Sequence, residues 1–122
     1  MYWGEEHVFA ATSDDLIHWT PIVNIDGSLK KLFSPRDGYF DSHLTECGPP
    51  AIYTLKGIVL LYNGKNHSGR GDKRYTANVY AAGQALFDAN NPTRFITRLD
   101  EPFFRRWIAL KRAGNMWMEP YL

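Results

Sequence analysis

The sequence has little of three things that would narrow its function at once: cysteine, charge of one sign and long apolar runs. Cys47 is its single cysteine, which excludes a disulfide within the chain and a cysteine-ligated zinc site. Its 14 Lys and Arg nearly balance 13 Asp and Glu, so the net positive charge is too small to attract the phosphate backbone of a nucleic acid. The longest apolar run, residues 58–62, is far too short to span a membrane. We therefore expect neither a nucleic-acid partner nor a membrane partner.

The sequence also shows neither the ligand spacing of a metal site nor the features of a secretion signal. Its 4 His lie at none of the spacings typical of a metal site, so we expect no metal. Residues 1–6 lack the basic start and the apolar stretch of a signal peptide, which favours a cytoplasmic location.

What the sequence does have is the composition of one globular domain, with strand-like segments between turns. Of its 122 residues, 44% are hydrophobic and 15% aromatic, and an aromatic surplus suits strands or surfaces that stack on flat ligands. Gly57 lies at the tight position of an expected hairpin, and the run 58–62 is typical of a strand buried on both faces. We predict an all-β fold, with strands at residues 8–12, 51–54, 58–63, 75–86 and 95–99. Gly83 also allows residues 75–86 to form two strands with a bend, and the alanines of this segment leave a helix as the alternative.

An ordered set of short motifs resembles glycoside hydrolase family 130, the β-mannoside phosphorylases and related β-mannosidases. It begins with Ser-Asp-Asp-Leu-Ile-His-Trp at residues 13–19, and the resemblance extends over about residues 1–104. Asn63 within Tyr-Asn-Gly and Glu46 before Cys-Gly-Pro-Pro are similar to the less-studied members rather than to the phosphorylases. The other motifs lie at residues 39–42, 46–52, 57–64, 80–88, 91–93 and 98–103.

This resemblance implies a five-bladed β-propeller with a central sugar-binding cleft. Five blades of about 40 residues each need roughly 200 residues. Residues 1–104 are therefore expected to form a partial propeller of about two to three blades. Open sheet edges then predict weak stability of the chain alone and self-association through those edges.

The resemblance also implies that β-mannosides are cleaved with inversion, either by water or by phosphate. The expected partner is an oligosaccharide substrate, with no cofactor and with inorganic phosphate as a co-substrate only if the reaction is a phosphorolysis. In the family's phosphorylases the general acid and several basic phosphate ligands lie upstream of the matched segment, so neither is assigned here. The rival expectation is a catalytically incomplete fragment that only binds glycan or is inactive.

Glu46 is the candidate catalytic residue. Inverting cleavage needs one carboxyl group as acid and a second as base for water, and Glu46 precedes a rigid Gly-Pro-Pro turn that aims it. A carboxylate base favours hydrolysis over phosphorolysis. The alternative is that Glu46 only accepts hydrogen bonds from turn amides.

The substrate-binding candidates are polar or aromatic residues beside turns and at strand ends. Each has a structural alternative: an Asx-type turn cap for Asp41 with Ser42, an exposed loop after the strand ending near Tyr62, and simple packing for Tyr80. The candidates are Asp41, Ser42, Tyr62, Asn63, Lys65, Asn66 and Tyr80.

Residues 105–122 depart from the family pattern. Their start has the spacing of an amphipathic helix, and we interpret the segment as a divergent tail produced by a frameshift, with a genuine truncated paralogue as the alternative.

Overall fold

The computed structural model describes residues 1–105, which form two antiparallel β-sheets. The first sheet has three strands in the order β1-β2-β3: β1 (Tyr2–Trp3), β2 (Phe9–Thr12) and β3 (Thr20–Pro21). The second sheet is built from β4 (Leu44–Cys47), β5 (Ile52–Thr54), β6 (Gly57–Lys65), β7 (Tyr80–Phe87), β8 (Phe95–Arg98) and β9 (Phe104–Arg105). Its strand order is β4-β6-β7-β8, with β5 also paired to β6 and β9 also paired to β7. The all-β prediction is confirmed. The predicted tail, residues 105–122, lies outside the described residues except for Arg105, which is the last residue of β9.

The β5–β6 hairpin depends on Gly57. Its φ of +139° belongs to a region that other residues rarely adopt, and a Cβ there would collide with the carbonyl oxygen of Phe87. Thr54 also donates its hydroxyl to the Gly57 carbonyl at 2.7 Å. The hairpin predicted from the sequence is therefore present, with glycine at the position that requires it.

Side chains alternate between two faces along β6 and β7 of the second sheet. The face that we call the inner face is buried and carries Leu60 and Tyr62 from β6 and Ala85 and Phe87 from β7. It packs against residues of the first sheet and its loops, with ring centroids 5.1 Å apart for Phe33 and Tyr62. The core of the described residues thus lies between the two sheets.

The opposite side of the second sheet, which we call the outer face, is only partly covered. Val59 and Leu61 point to it, and both are intermediate in exposure. The sequence predicted that residues 58–62 are buried on both faces. Among the described residues they are buried on the inner face and only partly buried on the outer face. By strand register the outer face also carries Leu44, Glu46, Ile52, Asn63, Lys65, Tyr80, Ala82, Gln84, Leu86, Thr97 and Phe104.

One local expectation differs from the structure. The strand predicted over residues 75–86 begins only at Tyr80, because the residues before it form a loop held by side-chain hydrogen bonds. Within residues 1–105 there is no helix of the length and apolarity that crossing a bilayer requires.

Candidate functional site

The candidate residues divide between the two sides of the second sheet. Glu46, Asn63, Lys65 and Tyr80 lie on the outer face by strand register. Tyr62 lies on the inner face, where it meets Asp41. The strand period of two decides this division, because neighbouring residues on one strand point to opposite faces.

The four outer-face candidates form two cross-strand pairs. Glu46 is directly opposite Asn63, and the Asn63 amide donates to Glu46 Oε2 at 3.2 Å. Lys65 is opposite Tyr80, with its Nζ 5.4 Å from the centre of the ring. A carboxylate, an amide, an ammonium group and a phenol thus share one accessible surface, which is the set of groups that binds sugar hydroxyls.

Glu5 is a further acidic residue at this site, and the sequence reasoning missed it. Cys47 donates its backbone N–H to the Gly4 carbonyl at 3.0 Å, and Thr45 donates to the Glu6 carbonyl at 3.2 Å. This antiparallel pattern places Glu5 directly opposite Glu46 on the edge of β4, and Glu5 is exposed. The pairing joins residues 41 positions apart, so the only local signal was a Glu pair after Gly4.

Asp41 is the centre of a buried ionic network beneath the sheet. Its side chain is 0% exposed and accepts hydrogen bonds from Arg36 Nε at 3.0 Å and Nη2 at 3.1 Å. The Tyr62 hydroxyl donates to it at 2.7 Å, and Arg98 Nη1 lies 3.3 Å away. Burial, and then the Asp41 charge, raise the pKa of Tyr62 well above its usual value. Both carboxylate oxygens are engaged by protein groups, so Asp41 fixes the loop that leads into β4.

Ser42 and Asn66 hold the loop between β6 and β7. The backbone N–H of His67 donates to Ser42 Oγ at 2.8 Å. The Asn66 amide donates to the carbonyls of Asp72 at 3.0 Å and Tyr75 at 3.1 Å, while its oxygen accepts from Asp72 N at 2.8 Å. Their binding roles stay predictions, and in the structure both side chains are buried.

Cys47 lies beside Glu46 but carries no reactive thiolate at neutral pH. Burial, and then the Glu46 charge, raise the pKa of its thiol to about 11. Within residues 1–105, no group of three or more His, Cys, Asp or Glu side chains is arranged to hold a metal ion.

Comparison with solved structures places this arrangement in a family. A glycosyl hydrolase from Bacteroides ovatus is 93% identical, with a TM-score of 0.85 over 90% of this chain and 30% of that one. A second structure is 82% identical, with a TM-score of 0.87 over 93% of this chain and 32% of that one. It is described under the GH130 family of mannoside phosphorylases, which contains glycoside hydrolases that target beta-1,2 mannosidic linkages in Candida mannan. The chain belongs to glycoside hydrolase family 130.

A more distant relative of this family 130 chain is a 1,2-beta-oligomannan phosphorylase from Thermoanaerobacter sp. (strain X514). It is 26% identical over 107 residues, which is 88% of this chain and 31% of that protein. No protein-family model matches the sequence. The chain therefore spans about a third of the length of the relatives it matches. Its family 130 neighbours are β-propellers, so the two open sheets correspond to part of one.

Proposed function

We propose that the chain is the segment of an inverting family 130 enzyme that activates the attacking water, and that the substrate is a β-1,2-mannoside. The observation that carries this proposal is the partly exposed Glu46 carboxylate, oriented by Asn63 and placed opposite Glu5 by the backbone hydrogen bonds. Relatives described as acting on β-1,2-mannosidic linkages or 1,2-β-oligomannan support the substrate class.

Glu46 is the base in this proposal. In inverting cleavage one carboxylic acid protonates the leaving oxygen, while a carboxylate on the opposite face of the sugar removes a proton from water. Asn63 holds one oxygen of Glu46, which leaves the other oxygen for the water. Lys65 and Tyr80 bind sugar hydroxyls beside it, and the general acid is not assigned to any residue of this chain.

Water is favoured over phosphate as the attacking group. The negative charge of the Glu46 carboxylate would repel a phosphate anion at the attacking position, whereas a water molecule needs a carboxylate base there. Phosphate remains the co-substrate of the alternative reaction, since the relatives include a phosphorylase.

The buried candidates position the binding residues indirectly in this proposal, by fixing the neighbouring loops. They are Asp41, Ser42, Tyr62 and Asn66. Asp41 and Tyr62 fix the approach to β4, which carries Glu46. Ser42 and Asn66 fix the loop next to Lys65. Direct contact of these four residues with sugar stays a prediction from the sequence.

A second candidate function is glycan binding without catalysis. It is favoured by one observation, the coverage of only 30–32% of the solved relatives' chains. Binding of β-1,2-mannobiose by the 122-residue chain without release of mannose is expected under both functions, so only turnover in a chimera that supplies the acid separates them.

The test of the base is a chimera in which residues 1–104 replace the aligned segment of the 82%-identical relative. We expect it to release mannose from β-1,2-mannobiose without phosphate, and Glu46→Gln to lower kcat by about 10²–10⁴-fold. Glu101→Gln is the matched control, since Glu101 is exposed and forms a surface ion pair with Arg74. An unchanged kcat in Glu46→Gln would refute the assignment of the base, and strict dependence on phosphate would refute hydrolysis.

A further inference from the structure

A row of polar side chains on the outer face continues beyond the end of β6. Over residues 62–67 the even-numbered residues are buried, whereas Asn63, Lys65 and His67 are exposed or partly exposed. The backbone still pairs as a strand at this point, because Asn66 N donates to the Val79 carbonyl at 3.0 Å. His67 therefore follows Asn63 and Lys65 on the same face, and we call these three residues the polar row. Neighbouring members of the row are about 6.7 Å apart along the strand.

The loop after His67 determines which nitrogen of its ring carries the proton. The backbone N–H groups of Gly69 and Arg70 donate to His67 Nδ1 at 2.9 Å and 3.1 Å. A nitrogen that accepts hydrogen bonds carries no proton, so neutral His67 carries its proton on Nε2. The backbone of His67 is held as well, since its N–H donates to Ser42 Oγ at 2.8 Å. Nδ1 thus anchors the loop, and Nε2–H is a donor in a fixed orientation.

The Nε2–H group of His67 has no hydrogen-bond acceptor among residues 1–105. The ring of the exposed His43 lies beside it, with ring centroids 5.3 Å apart and ring planes inclined at 51°. The two rings do not form a metal site in this arrangement, because a metal ion needs the Nε2 lone pair and this nitrogen carries the proton. A rigid, partly exposed donor without a protein acceptor instead suits an oxygen atom of a ligand.

We propose that His67 is a substrate-binding residue, whose Nε2–H donates to a sugar hydroxyl next to the one that Lys65 binds. This role rests on the function proposed above, since the polar row begins at Asn63 beside Glu46. Sugar hydroxyls accept hydrogen bonds as well as donate them. The row from Asn63 to His67 is about 13 Å long, which is longer than one sugar ring. It therefore fits a mannoside of at least two residues.

The test titrates β-1,2-mannobiose into the native 122-residue chain and into its His67→Asn variant. Asparagine places Oδ1 where Nδ1 of His67 lies, so the acceptor for the loop is kept and only Nε2–H is lost. We expect Kd to rise about threefold to tenfold, as for the loss of one neutral hydrogen bond, and the urea midpoint to stay unchanged. His18→Asn is the matched control, because His18 is exposed in the loop between β2 and β3 and should leave Kd unchanged.

Monodeoxy analogues of β-1,2-mannobiose identify the hydroxyl that accepts this hydrogen bond. The analogue that lacks it should bind the native chain and His67→Asn equally, whereas the other analogues should keep the difference in Kd. If His67→Asn does not fold, nitrogen NMR of the native chain replaces it, and the His67 Nε2–H signal should shift when mannobiose is added.

Three outcomes would overturn the role of His67. They are an unchanged Kd in His67→Asn, no binding of mannobiose by the native chain, and a lowered urea midpoint together with equally weaker binding of every analogue, which would leave His67 as a loop anchor only. In the NMR experiment, an unshifted His67 signal has the same meaning. The base is tested separately by kcat of Glu46→Gln in the chimera, so its refutation would leave the Kd result for His67 standing.

Discussion

Asn63 donates its side-chain amide to Glu46 Oε2 at 3.2 Å across the β4–β6 pair, on an accessible face of the sheet. This contact fixes the orientation of the carboxylate without burying it. The effect of removing it should therefore be seen in turnover and not in folding.

We expect Asn63→Ala to lower kcat of the chimera about tenfold to a hundredfold, because one hydrogen bond to a charged group contributes about 1.5–3 kcal/mol. The urea midpoint of the 122-residue chain should stay unchanged, because Asn63 is exposed. Steady-state kinetics and urea unfolding of the same variant provide the check. A lowered urea midpoint with unchanged kcat would mean that the contact is only structural.

The buried carboxylate of Asp41 should be essential for folding. Asp41→Asn leaves Arg36 and Arg98 beside a neutral group, and breaking a buried ion pair costs about 3–5 kcal/mol. Tyr62→Phe removes one donor and should cost about 1–3 kcal/mol, so it remains measurable by urea unfolding if Asp41→Asn does not fold.

The control for Asp41 is Asp37→Asn. Asp37 pairs with Arg70 at 3.1 Å on the surface, and such pairs contribute about 0–1 kcal/mol. Equal losses of stability in the two Asp variants would contradict the role of burial.

Gly83 is required because the ring of Tyr62 lies against it. A Cβ at Gly83 would lie 2.6 Å from the Tyr62 hydroxyl oxygen, and Tyr62 is itself held between Asp41 and the core. We expect Gly83→Ala to destabilise the chain by about 1–3 kcal/mol, as overpacking does. Gly69→Ala, whose Cβ would meet only the His67 ring at 3.8 Å, should be nearly neutral. Thermal unfolding of both variants decides the point.

The stability of the chain should fall in mild alkali because of Cys47. Burial raises the pKa of its thiol from the usual 9.0 to about 11, so the folded chain favours the neutral form. A raised pKa contributes stability that is complete below about pH 9 and is lost as the pH rises toward 11. The Tyr2 phenol ionises later, because burial raises its pKa to about 12.

Urea midpoints of the native chain and of Cys47→Ala should therefore diverge between pH 8 and about pH 10. The native chain should lose stability over this range, and the variant should keep it. Parallel curves would show that the thiol does not contribute to the pH dependence.

Local patterns predicted the hairpin but not the ionic network. Gly57 between two β-prone runs defines the β5–β6 turn through neighbouring residues alone, and it is where the sequence placed it. Arg98 reaches Asp41 from 57 positions away along the chain, and only the packing of the two sheets brings them together. A motif can indicate that Asp41 has a role in binding or folding, but it cannot indicate that its carboxylate faces the core.

Long-range pairing also explains why the sequence predicted the residues of the candidate site but not their geometry. Glu46 and Asn63 were both candidates, but their contact requires the β4–β6 register, which long-range pairing fixes. Glu5 was missed because its position opposite Glu46 comes from backbone hydrogen bonds of residues 4–6 to β4. The propeller fragment itself was predictable, since its motifs follow one another in order along the chain.

The amide of Asn66 has a kinetic consequence. The β6–β7 pairing can form only after the loop over residues 67–79 closes, and closing about a dozen residues costs roughly 2 kcal/mol of chain entropy. Asn66 bonds to Val79 and Asn78 through its backbone and to Asp72 and Tyr75 through its side chain, so this one residue ties the two ends of the loop together. We therefore expect changes at Asn66 to slow refolding in stopped-flow measurements, although its side chain adds nothing to the apolar core. Insertions at the loop tip, near Gly69, should be tolerated.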